Sequence, residues 1–456
     1  AFAPSRGSSR TLKIVSVGGG PAGLYLAILM KKADPGHEIR VFERNRPDDT
    51  FGFGVVFSDA TLQGFAEADP ETYAEITRNF AHWDDIDIHY RGEVVSSTGH
   101  GFSGLSRRVL LDILQRRAAG LGVELSFETE IGDPAPYLDA DLVLAADGVN
   151  SALRARYADS FGPEIDWRRN RFVWLGTTRP FPAFTFFFKT NPHGLWRVHA
   201  YQYEKGHSTF IVECAEATWR RAGMDRADED ATLAYCEALF AGELRGHRLI
   251  KNRSLWRSFP TVRNRAWHDR NIVLMGDAAH TAHFSIGSGT KLAMEDAIAL
   301  GHALQRNSSV ADALASYESE RRPAGEAIQR AAQVSLEWFE ETERYFGRLE
   351  PIQFAFSMLT RSLRISHANL KLRDPKFVAA VDRWFAERAA NHSRVNVTRD
   401  PPPPPMFTPF RLREMVLANR VAVSPMCQYS AEDGTANDWH LVHLASRALG
   451  GAGLVI

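Results

Sequence analysis

Three glycines near the N-terminus have the spacing of a loop that binds a dinucleotide. Gly18, Gly20 and Gly23 form the pattern G-x-G-x-x-G, with Pro21 and Ala22 between the last two. The first glycine of such a loop permits a tight turn, the second lets backbone amides approach a pyrophosphate, and the third lets a helix pack closely on a strand. The predicted chemistry is therefore the binding of a pyrophosphate at a helix N-terminus.

The surrounding residues predict the elements that such a loop needs. Residues 12–17 are a short β-branched run typical of a strand, and residues 24–32 have apolar side chains at helical spacing. Glu43 ends a second predicted strand twenty residues after Gly23, where a carboxylate can bind the ribose hydroxyls of a dinucleotide. We interpret this strand, turn, helix and strand as a binding site for FAD.

A comparable arrangement occurs late in the chain. Residues 271–276 read as a buried strand, Asp277 follows at once, and a loop containing glycine leads into a helix predicted over 288–304. A strand, an acidic residue and a helix N-terminus together form a binding site for an anion and a ring edge. Two such arrangements in one chain fit one extended cofactor.

Composition and charge limit the class of protein. The 456 residues are 44% hydrophobic and 24% charged, which predicts a soluble globular protein of two or three domains. The formal net charge of -1 provides no global field for nucleic acid, and no hydrophobic run is long enough to span a membrane. Three widely spaced cysteines favour a cytoplasmic protein without disulfides or a metal site. Residues 1–10 lack the apolar core of a signal peptide and are expected to be a frayed tail.

The segment 166–265 has the alternation of a mostly antiparallel sheet. Alternation places His199 and Tyr201 on one face of a strand, opposite to Val198 and Ala200. The face with His199 and Tyr201 has two explanations, the lining of a pocket or an ordinary core face.

Arginines at two places are candidates for binding phosphate. Arg107 begins an amphipathic helix, and arginine is not the usual preference at a helix N-terminus. Arg168, Arg169 and Arg171 form the densest basic cluster near the predicted sheet. This cluster is either a solvated turn or a binding site for a phosphorylated substrate.

In order and spacing, these motifs resemble the three signatures of the single-component FAD aromatic hydroxylases, typified by para-hydroxybenzoate hydroxylase. The matching residues are 18–23, Asp147-Gly148, and Gly276-Asp277-Ala278-Ala279-His280 with Gly287 and Gly289. The resemblance spans residues 11–345 and implies an α/β fold. That fold combines a Rossmann-type FAD-binding domain with an inserted, mainly antiparallel β-sheet domain for the substrate.

The resemblance also implies roles along the cofactor. Glu43 and Arg44 hold the adenosine end of FAD, and Arg107 contacts its phosphate or ribityl region. Asp277 binds the ribityl chain, and the loop 287–289 faces the pyrimidine oxygen of the flavin. The motif at Asp147 and Gly148 is linked in the family to both FAD and NAD(P)H. The full set of expected cofactor residues is Gly18, Gly20, Pro21, Ala22, Gly23, Glu43, Arg44, Gly54, Arg107, Ile131, Asp147, Gly148, Gly276, Asp277, Gly287, Ser288 and Gly289.

On the substrate side the sequence departs from the family pattern. The proline that follows the Gly276–His280 motif in the family is Phe284 here. The segments 51–58, 208–214 and 283–290 together look closer to a violacein-pathway indole hydroxylase than to the type member. We expect His283, Phe284 and Ser285 at the reaction site. The expected substrate residues are His199 and Tyr201 at the ring and, exposed to water at the mouth of the sheet domain, Arg168, Arg169 and Arg171.

The C-terminal segment resembles a different family. Residues 401–405 are five consecutive prolines, which predict a stiff extended spacer. Residues 406–456 resemble the start of Old Yellow Enzyme (β/α)8 barrels, and since a barrel needs about 250 residues, we expect a partial barrel without reductase activity of its own. The expected domains are an FAD-binding domain at 11–165 and 266–345, a substrate sheet at 166–265, a helical region at 346–398, a proline linker at 399–405 and the barrel segment at 406–456.

A flavin hydroxylase joined to an Old Yellow Enzyme segment resembles the bifunctional salicylyl-CoA 5-hydroxylase and 2-aminobenzoyl-CoA monooxygenase/reductase group. That resemblance implies that NAD(P)H reduces FAD, that O2 adds as a flavin C4a-hydroperoxide, and that an aromatic CoA thioester is hydroxylated at position 5. Two alternatives stay open, a hydroxylase of indole-type or free aromatic substrates and a non-catalytic flavoprotein. The expected partners are the small-molecule substrate and O2, and the oligomeric state, including a homodimer, stays open.

Overall fold

The computed structural model describes residues 11–58 and 62–456, so the expectation for residues 1–10 lies outside the described residues. The chain divides into two compact units, Ala1–Arg364 and Ile365–Ile456. Within the described ranges no helix has both the length and the apolar content needed to cross a membrane.

The first unit contains three sheets and twelve α-helices in its described residues. Its strands are β1 Lys13–Val17, β2 Glu38–Phe42, β3 Gly54–Ser58, β4 Ala81–Trp83, β5 Ile86–Tyr90, β6 Glu93–Ser97, β7 Phe102–Ser106, β8 Glu124–Ser126, β9 Leu142–Ala145, β10 Pro163–Thr177, β11 Phe184–Asn191, β12 Gly194–Glu204, β13 His207–Ala215, β14 Leu249–Ile250, β15 Arg257–Asn264, β16 His268–Asp269 and β17 Ile272–Leu274. Its helices are α1 Pro21–Ala33, α2 Gln63–Ala68, α3 Pro70–Arg78, α4 Arg107–Gly120, α5 Ala152–Arg156, α6 Ala158–Phe161, α7 Glu216–Arg221, α8 Glu229–Leu239, α9 Ala241–Leu244, α10 Gly289–Arg306, α11 Val310–Glu340 and α12 Pro351–Leu359.

The first sheet has the order β16-β17-β9-β1-β2-β8 and is parallel except for β16. Its central strands are almost entirely buried, as expected for parallel strands that are covered on both faces. The carboxyl ends of β1, β9 and β17 lie at one edge, where ligands bind in open α/β sheets. This edge brings together the three loops that begin near Gly18, Asp147 and Gly276.

The second sheet has the order β14-β10-β13-β12-β11-β5-β6, with β15 also paired to β10. Its pairs are antiparallel except β11 with β5. On β12, Val198 and Ala200 belong to the apolar core behind the sheet, and His199 and Tyr201 point to the other face, as alternation predicts. The remaining sheet of the described residues is the small β3-β7-β4. The expected α/β class, with a Rossmann-type sheet and a mainly antiparallel second sheet, is confirmed.

The second unit is smaller. It contains α13 His367–Arg373, α14 Pro375–Ser393, β18 Phe410–Leu412, β19 Met415–Leu417, β20 Ala422–Val423, α15 Asp438–Leu449 and β21 Leu454–Val455. The strands β20 and β21 pair in parallel and are connected through α15, which is the strand, helix and strand order of a βαβ repeat. Every residue of α15 is at least partly exposed.

Candidate active site

The glycine loop forms an open cradle at the carboxyl end of β1. Gly18 has a φ of +110°, and a Cβ on it would lie 2.2 Å from the carbonyl oxygen of Ala146. A Cβ on Gly23 would lie 2.3 Å from the carbonyl oxygen of Gly18. A Cβ on Gly20 would meet no atom within 4 Å, so the backbone there, followed by α1 from Pro21, faces open space. That space at a helix N-terminus is what a pyrophosphate needs.

Glu43 forms the side of the cradle next to β2. Its Oε2 accepts a hydrogen bond from the backbone N of Gly19 at 2.9 Å, and its Oε1 accepts one from the backbone N of Asn45 at 2.8 Å. The side chain of Arg44 is 57% exposed. Ile131 packs against the core of the first sheet. The structure therefore brings Glu43 to the glycine loop and leaves Arg44 at the surface.

The acidic loop after β17 presents a carboxylate to a cavity of about 290 Å³. Asp277 and Arg107 both line this cavity, which we call the main cavity, together with Gly20 and the loop 287–289. Because protein surrounds the cavity, burial raises the pKa of the Asp277 carboxyl group, and the positive charge of Arg107 opposes that shift. Burial lowers the pKa of Arg107, and the charge of Asp277 works against it. A cation and a carboxylate on one wall fit the phosphate and the ribityl hydroxyls of FAD.

Asp296 of α10 anchors this acidic loop. Its Oδ2 accepts hydrogen bonds from the backbone N of Gly276 at 3.0 Å and from Nε2 of His280 at 2.9 Å. Its Oδ1 accepts a hydrogen bond from Nε of Arg321 at 2.6 Å. Burial acts to raise the pKa of Asp296, but His280 and Arg321 hold it below its ordinary value. The loop that carries Asp277 is therefore fixed by a buried network of charges.

The Asp147-Gly148 motif lies beside the acidic loop. Asp147 caps the start of α5 through Oδ2, whereas its Oδ1 is buried without a hydrogen-bond partner among the described residues. Gly148 has a φ of +82° and lines the main cavity. The buried Arg154 donates hydrogen bonds to the carbonyl oxygens of Val149 at 2.6 Å and Ala278 at 3.1 Å. Arg154 therefore ties the two loops together.

The wall of the main cavity that faces the second sheet is aromatic. The ring of Phe284 lies 4.8 Å from that of Phe172 and 6.0 Å from that of Trp174, both on β10. The hydroxyl of Tyr201 donates a hydrogen bond to the carbonyl oxygen of Gly54 at 2.9 Å, which fixes the tyrosine ring on the same wall. The main cavity thus has a polar, glycine-rich side and an aromatic side, and the latter suits a planar ring.

The three residues expected at the reaction site lie in two layers. Phe284 lines the main cavity, whereas His283 and Ser285 are buried next to it. Burial lowers the pKa of the His283 imidazole to about 3, although the charge of Glu213 acts in the opposite direction. At neutral pH His283 is therefore an uncharged part of the support for Phe284.

Arg361 holds the loop of Phe284 from behind. Its Nη2 donates a hydrogen bond to the carbonyl oxygen of Ser285 at 2.6 Å, and its Nε donates one to Oγ of Ser335 at 2.9 Å. The guanidinium group lies 5.1 Å from the centre of the Phe339 ring. Burial lowers the pKa of Arg361 to about 10. Arg361 stays charged at neutral pH and clamps this loop.

His199 lies one layer behind the aromatic wall rather than on it. Its ring is 5.3 Å from that of Phe284, and its Nε2 is hydrogen-bonded to Oε2 of Glu213 at 3.0 Å. Asn170 donates to the other oxygen of Glu213 at 2.6 Å. Burial acts to raise the pKa of Glu213, but the hydrogen bond from His199 and the charge of Arg197 hold it at about 2. The expected ring contact of His199 is thus an indirect one, through Phe284.

The predicted arginine cluster lines a second cavity of about 600 Å³, which we call the basic groove. The expectation that all three arginines are exposed is wrong for Arg168. Its side chain is 15% exposed, because it donates to the buried carboxylate of Glu340 at 2.6 Å. Arg169 is 68% exposed and pairs with Glu341 at 2.9 Å, and Arg171 lies 3.5 Å from Glu216. Each arginine of the cluster therefore already has a carboxylate partner.

Three arginines at or beside the cavities escaped prediction from the sequence. They are Arg154 and Arg361, described above, and Arg257, which lines both cavities. Arg361 contacts a residue 76 positions away, and Arg154 contacts one 124 positions away. No local pattern marks such contacts, since they depend on how distant segments pack.

The sequence of this chain is similar to those of known proteins. A profile described as FAD binding domain matches residues 119–332, and one described as NADH:flavin oxidoreductase / NADH oxidase family matches residues 405–456. The chain is 43% identical over 434 residues to a salicyloyl-CoA 5-hydroxylase of Streptomyces sp, which covers 93% of this chain and 81% of that protein. It is 40% identical over 328 residues to the 3-hydroxy-4-methyl-anthranilyl-(aryl-carrier protein) 5-monooxygenase of Streptosporangium sibiricum, which covers 72% of this chain and 89% of that protein.

A solved structure shares the fold. The tetrameric form of 2-methyl-3-hydroxypyridine-5-carboxylic acid oxygenase aligns with a TM-score of 0.62 and 21% identity, over 78% of this chain and 98% of that one. With the two relatives above, the cradle and the cavity lead to one conclusion: the chain belongs to the family of FAD-dependent aromatic hydroxylases. It is a monooxygenase that hydroxylates an aromatic small molecule, with FAD as cofactor and NAD(P)H as reductant.

Proposed function

We propose that this chain hydroxylates the ring of an aromatic CoA thioester, salicyloyl-CoA or 2-aminobenzoyl-CoA, at position 5. The observation that carries the proposal is the continuity of two cavities of different character. The main cavity has an aromatic wall that suits the ring, and it shares Val149, Arg257, Ser258 and Pro260 with the basic groove. A CoA thioester joins an uncharged ring to a long arm that carries phosphates. The aromatic wall of the main cavity suits the ring, and the basic groove suits the arm.

The cofactor contacts expected from the sequence form part of this proposal. Gly20, where the backbone faces open space, would hold the pyrophosphate of FAD. Glu43 would hold the adenosine end, and Arg107 and Asp277, which line the main cavity, would hold the phosphate and ribityl region. Bound FAD, once reduced by NAD(P)H, supplies the activated oxygen atom. The other oxygen atom of O2 leaves as water, so the two electrons of NAD(P)H balance the reaction.

The chain contributes binding, orientation and the exclusion of water. Phe172, Trp174 and Phe284 surround the ring on one side, and their apolar faces keep water away from the reacting carbon. Orientation matters because a ring that is already held in place reacts without the further entropic cost of bringing its carbon to the reacting oxygen atom. The 2-hydroxy or 2-amino substituent donates electron density to the carbon opposite to it, which is position 5. The clamp of Arg361 on Ser285 keeps Phe284 in place during this step.

The phosphates of CoA lie in the basic groove under this proposal. Arg169 and Arg171 contact them from the exposed side of the groove. Arg168 has a mainly structural role, because its removal would take away the 2.6 Å ion pair of the buried Glu340 carboxylate and leave that carboxylate with contacts to Arg169 alone.

The test is product analysis with purified enzyme, NAD(P)H and O2. Salicyloyl-CoA, 2-aminobenzoyl-CoA and the two free acids are supplied separately, and the products are identified by mass spectrometry and by the position of the new hydroxyl group. We expect one added oxygen at position 5 in a thioester and little conversion of the acids. Efficient conversion of a free acid or of an indole, with the thioesters untouched, would overturn the proposal.

A further inference from the structure

The two cavities meet at the start of β15. Arg257 is the first residue of that strand, pairs across the sheet with Phe172, and lines both the main cavity and the basic groove. A substrate with its ring against Phe172 and its arm in the groove must pass this point. The thioester group, which joins the ring to the arm, then lies at the junction.

Arg257 differs from the other arginines of the groove in its charge partners. Arg168, Arg169 and Arg171 each have a carboxylate within 3.5 Å. In the described part of the chain, Arg257 has no carboxylate partner, and its guanidinium lies 4.5 Å over the ring of Phe51. A cation on an aromatic face keeps its N–H groups free at the edge, since the ring occupies only the face of the guanidinium.

Partial burial lowers the pKa of Arg257, and no acidic group counters that effect. Even so, an arginine remains protonated at any physiological pH. The junction therefore carries one positive charge and several N–H donors that have no hydrogen-bond partner among residues 11–58 and 62–456.

We propose that Arg257 binds the thioester carbonyl oxygen of the substrate at the junction of the two cavities. The inference rests on the proposed function. A carbonyl oxygen accepts hydrogen bonds from the guanidinium, whereas the phosphates of the arm belong farther out in the groove. Arg257 is thus a specificity residue for an acyl group of any thioester, with CoA or with a shorter thiol.

The test compares two substrates that share the thioester and differ in the arm. Salicyloyl-CoA has phosphates, and salicyloyl-N-acetylcysteamine has none. With Arg257→Ala we expect KM to rise about tenfold or more for both thioesters, the size expected for a lost hydrogen bond to a charged group. The turnover number should change little, because the contact exists before and during the reaction. Arg257→Lys keeps the positive charge but lacks the planar set of guanidinium N–H groups, so its KM should lie between those of the wild type and Arg257→Ala.

The controls separate the explanations. Arg330→Ala removes an exposed arginine of α11, outside both cavities, and should leave both KM values unchanged. A KM increase for salicyloyl-CoA alone would mean that Arg257 binds a phosphate, and an increase for NADH alone would assign the groove to the reductant. Either result overturns the inference, as do unchanged KM values in a variant with full FAD content. If the wild type converts salicylate and neither thioester, the proposed function itself fails.

Discussion

The two sides of the main cavity are built in different ways. The cofactor side consists of short loops at the ends of β1, β9 and β17, and each loop carries its chemistry in consecutive residues. The sheet side and the basic groove depend on pairs of residues far apart in the chain, such as Arg168 with Glu340, 172 positions away. Short consecutive segments of the sequence therefore determine the backbone geometry of the cofactor side. Contacts between distant segments compensate the buried charges of the sheet side.

The largest effect should come from closing the cradle. With Gly20→Val we expect a folded protein without bound FAD, because the new methyl groups enter open space that the pyrophosphate needs. The ratio of FAD to protein in the purified variant, from its absorbance spectrum, checks this. Gly64→Val is the matched control, since a Cβ at Gly64 also meets no atom within 4 Å but lies in α2, away from the cradle. Stoichiometric FAD in Gly20→Val would remove the cofactor assignment.

On the sheet side the largest effect should be on stability. Glu213→Ala leaves His199 and Asn170 without their buried acceptor, and the loss of one partner from such a pair costs about 3 to 5 kcal/mol. Chemical denaturation of the variant measures the change. Glu216→Ala removes a partly exposed carboxylate three residues later and should cost about 0 to 1 kcal/mol. Equal losses in the free energy of unfolding for the two variants would show that the buried pair contributes no more to stability than the exposed one.

The same buried layer predicts a dependence of stability on pH. The pKa of His283 is lowered from 6.5 to about 3, so the unfolded chain binds a proton more readily than the folded one between those values. The free energy of unfolding should therefore fall by up to about 1.4 kcal/mol for each pH unit below 6.5. Glu213, with its pKa lowered from 4.5 to about 2, adds a loss in the same direction below pH 4.5.

Denaturation of wild type and His283→Asn at several pH values between 8 and 5 isolates the part due to His283. The variant should lose less stability on acidification than the wild type does. Parallel curves for the two proteins would contradict a neutral, buried imidazole at this position.

The smallest effect should come from the exposed groove. Arg169→Ala with Arg171→Ala should raise KM for the acyl-CoA by less than about tenfold, since partly exposed ion pairs contribute about 0 to 1 kcal/mol each. The increase should shrink in high salt, because screening weakens contacts between exposed charges and phosphates. Steady-state kinetics at two ionic strengths measures the increase in KM and its dependence on salt. An increase that persists at high salt would indicate a contact other than an exposed charge pair.

Sequence alone predicted what local patterns determine. The tight turn at Gly18 and the close packing at Gly23 follow from their spacing, and the opposite faces of His199 and Val198 follow from alternation. The sequence could not show that β5 joins the second sheet in parallel to β11, because that pairing bridges about a hundred residues.

Ion pairs between distant segments were the other feature that the sequence could not predict. The exposure expected for Arg168 was wrong because Glu340 lies on a distant helix and draws the guanidinium inward. Arg257 escaped notice for the opposite reason. It is an isolated arginine in sequence, and only the structure reveals that it stands where two cavities meet, with no carboxylate partner in the described part of the chain.

The coupling of NAD(P)H oxidation to hydroxylation tests the central claim most directly. For each candidate substrate, the NAD(P)H consumed and the hydroxylated product formed are measured in the same reaction. A substrate that fits the aromatic wall and excludes water should yield nearly one product per NAD(P)H. We expect that ratio for salicyloyl-CoA or 2-aminobenzoyl-CoA, and mostly hydrogen peroxide with the free acids. Tight coupling with a free acid, and hydrogen peroxide as the main product with both thioesters, would contradict the account.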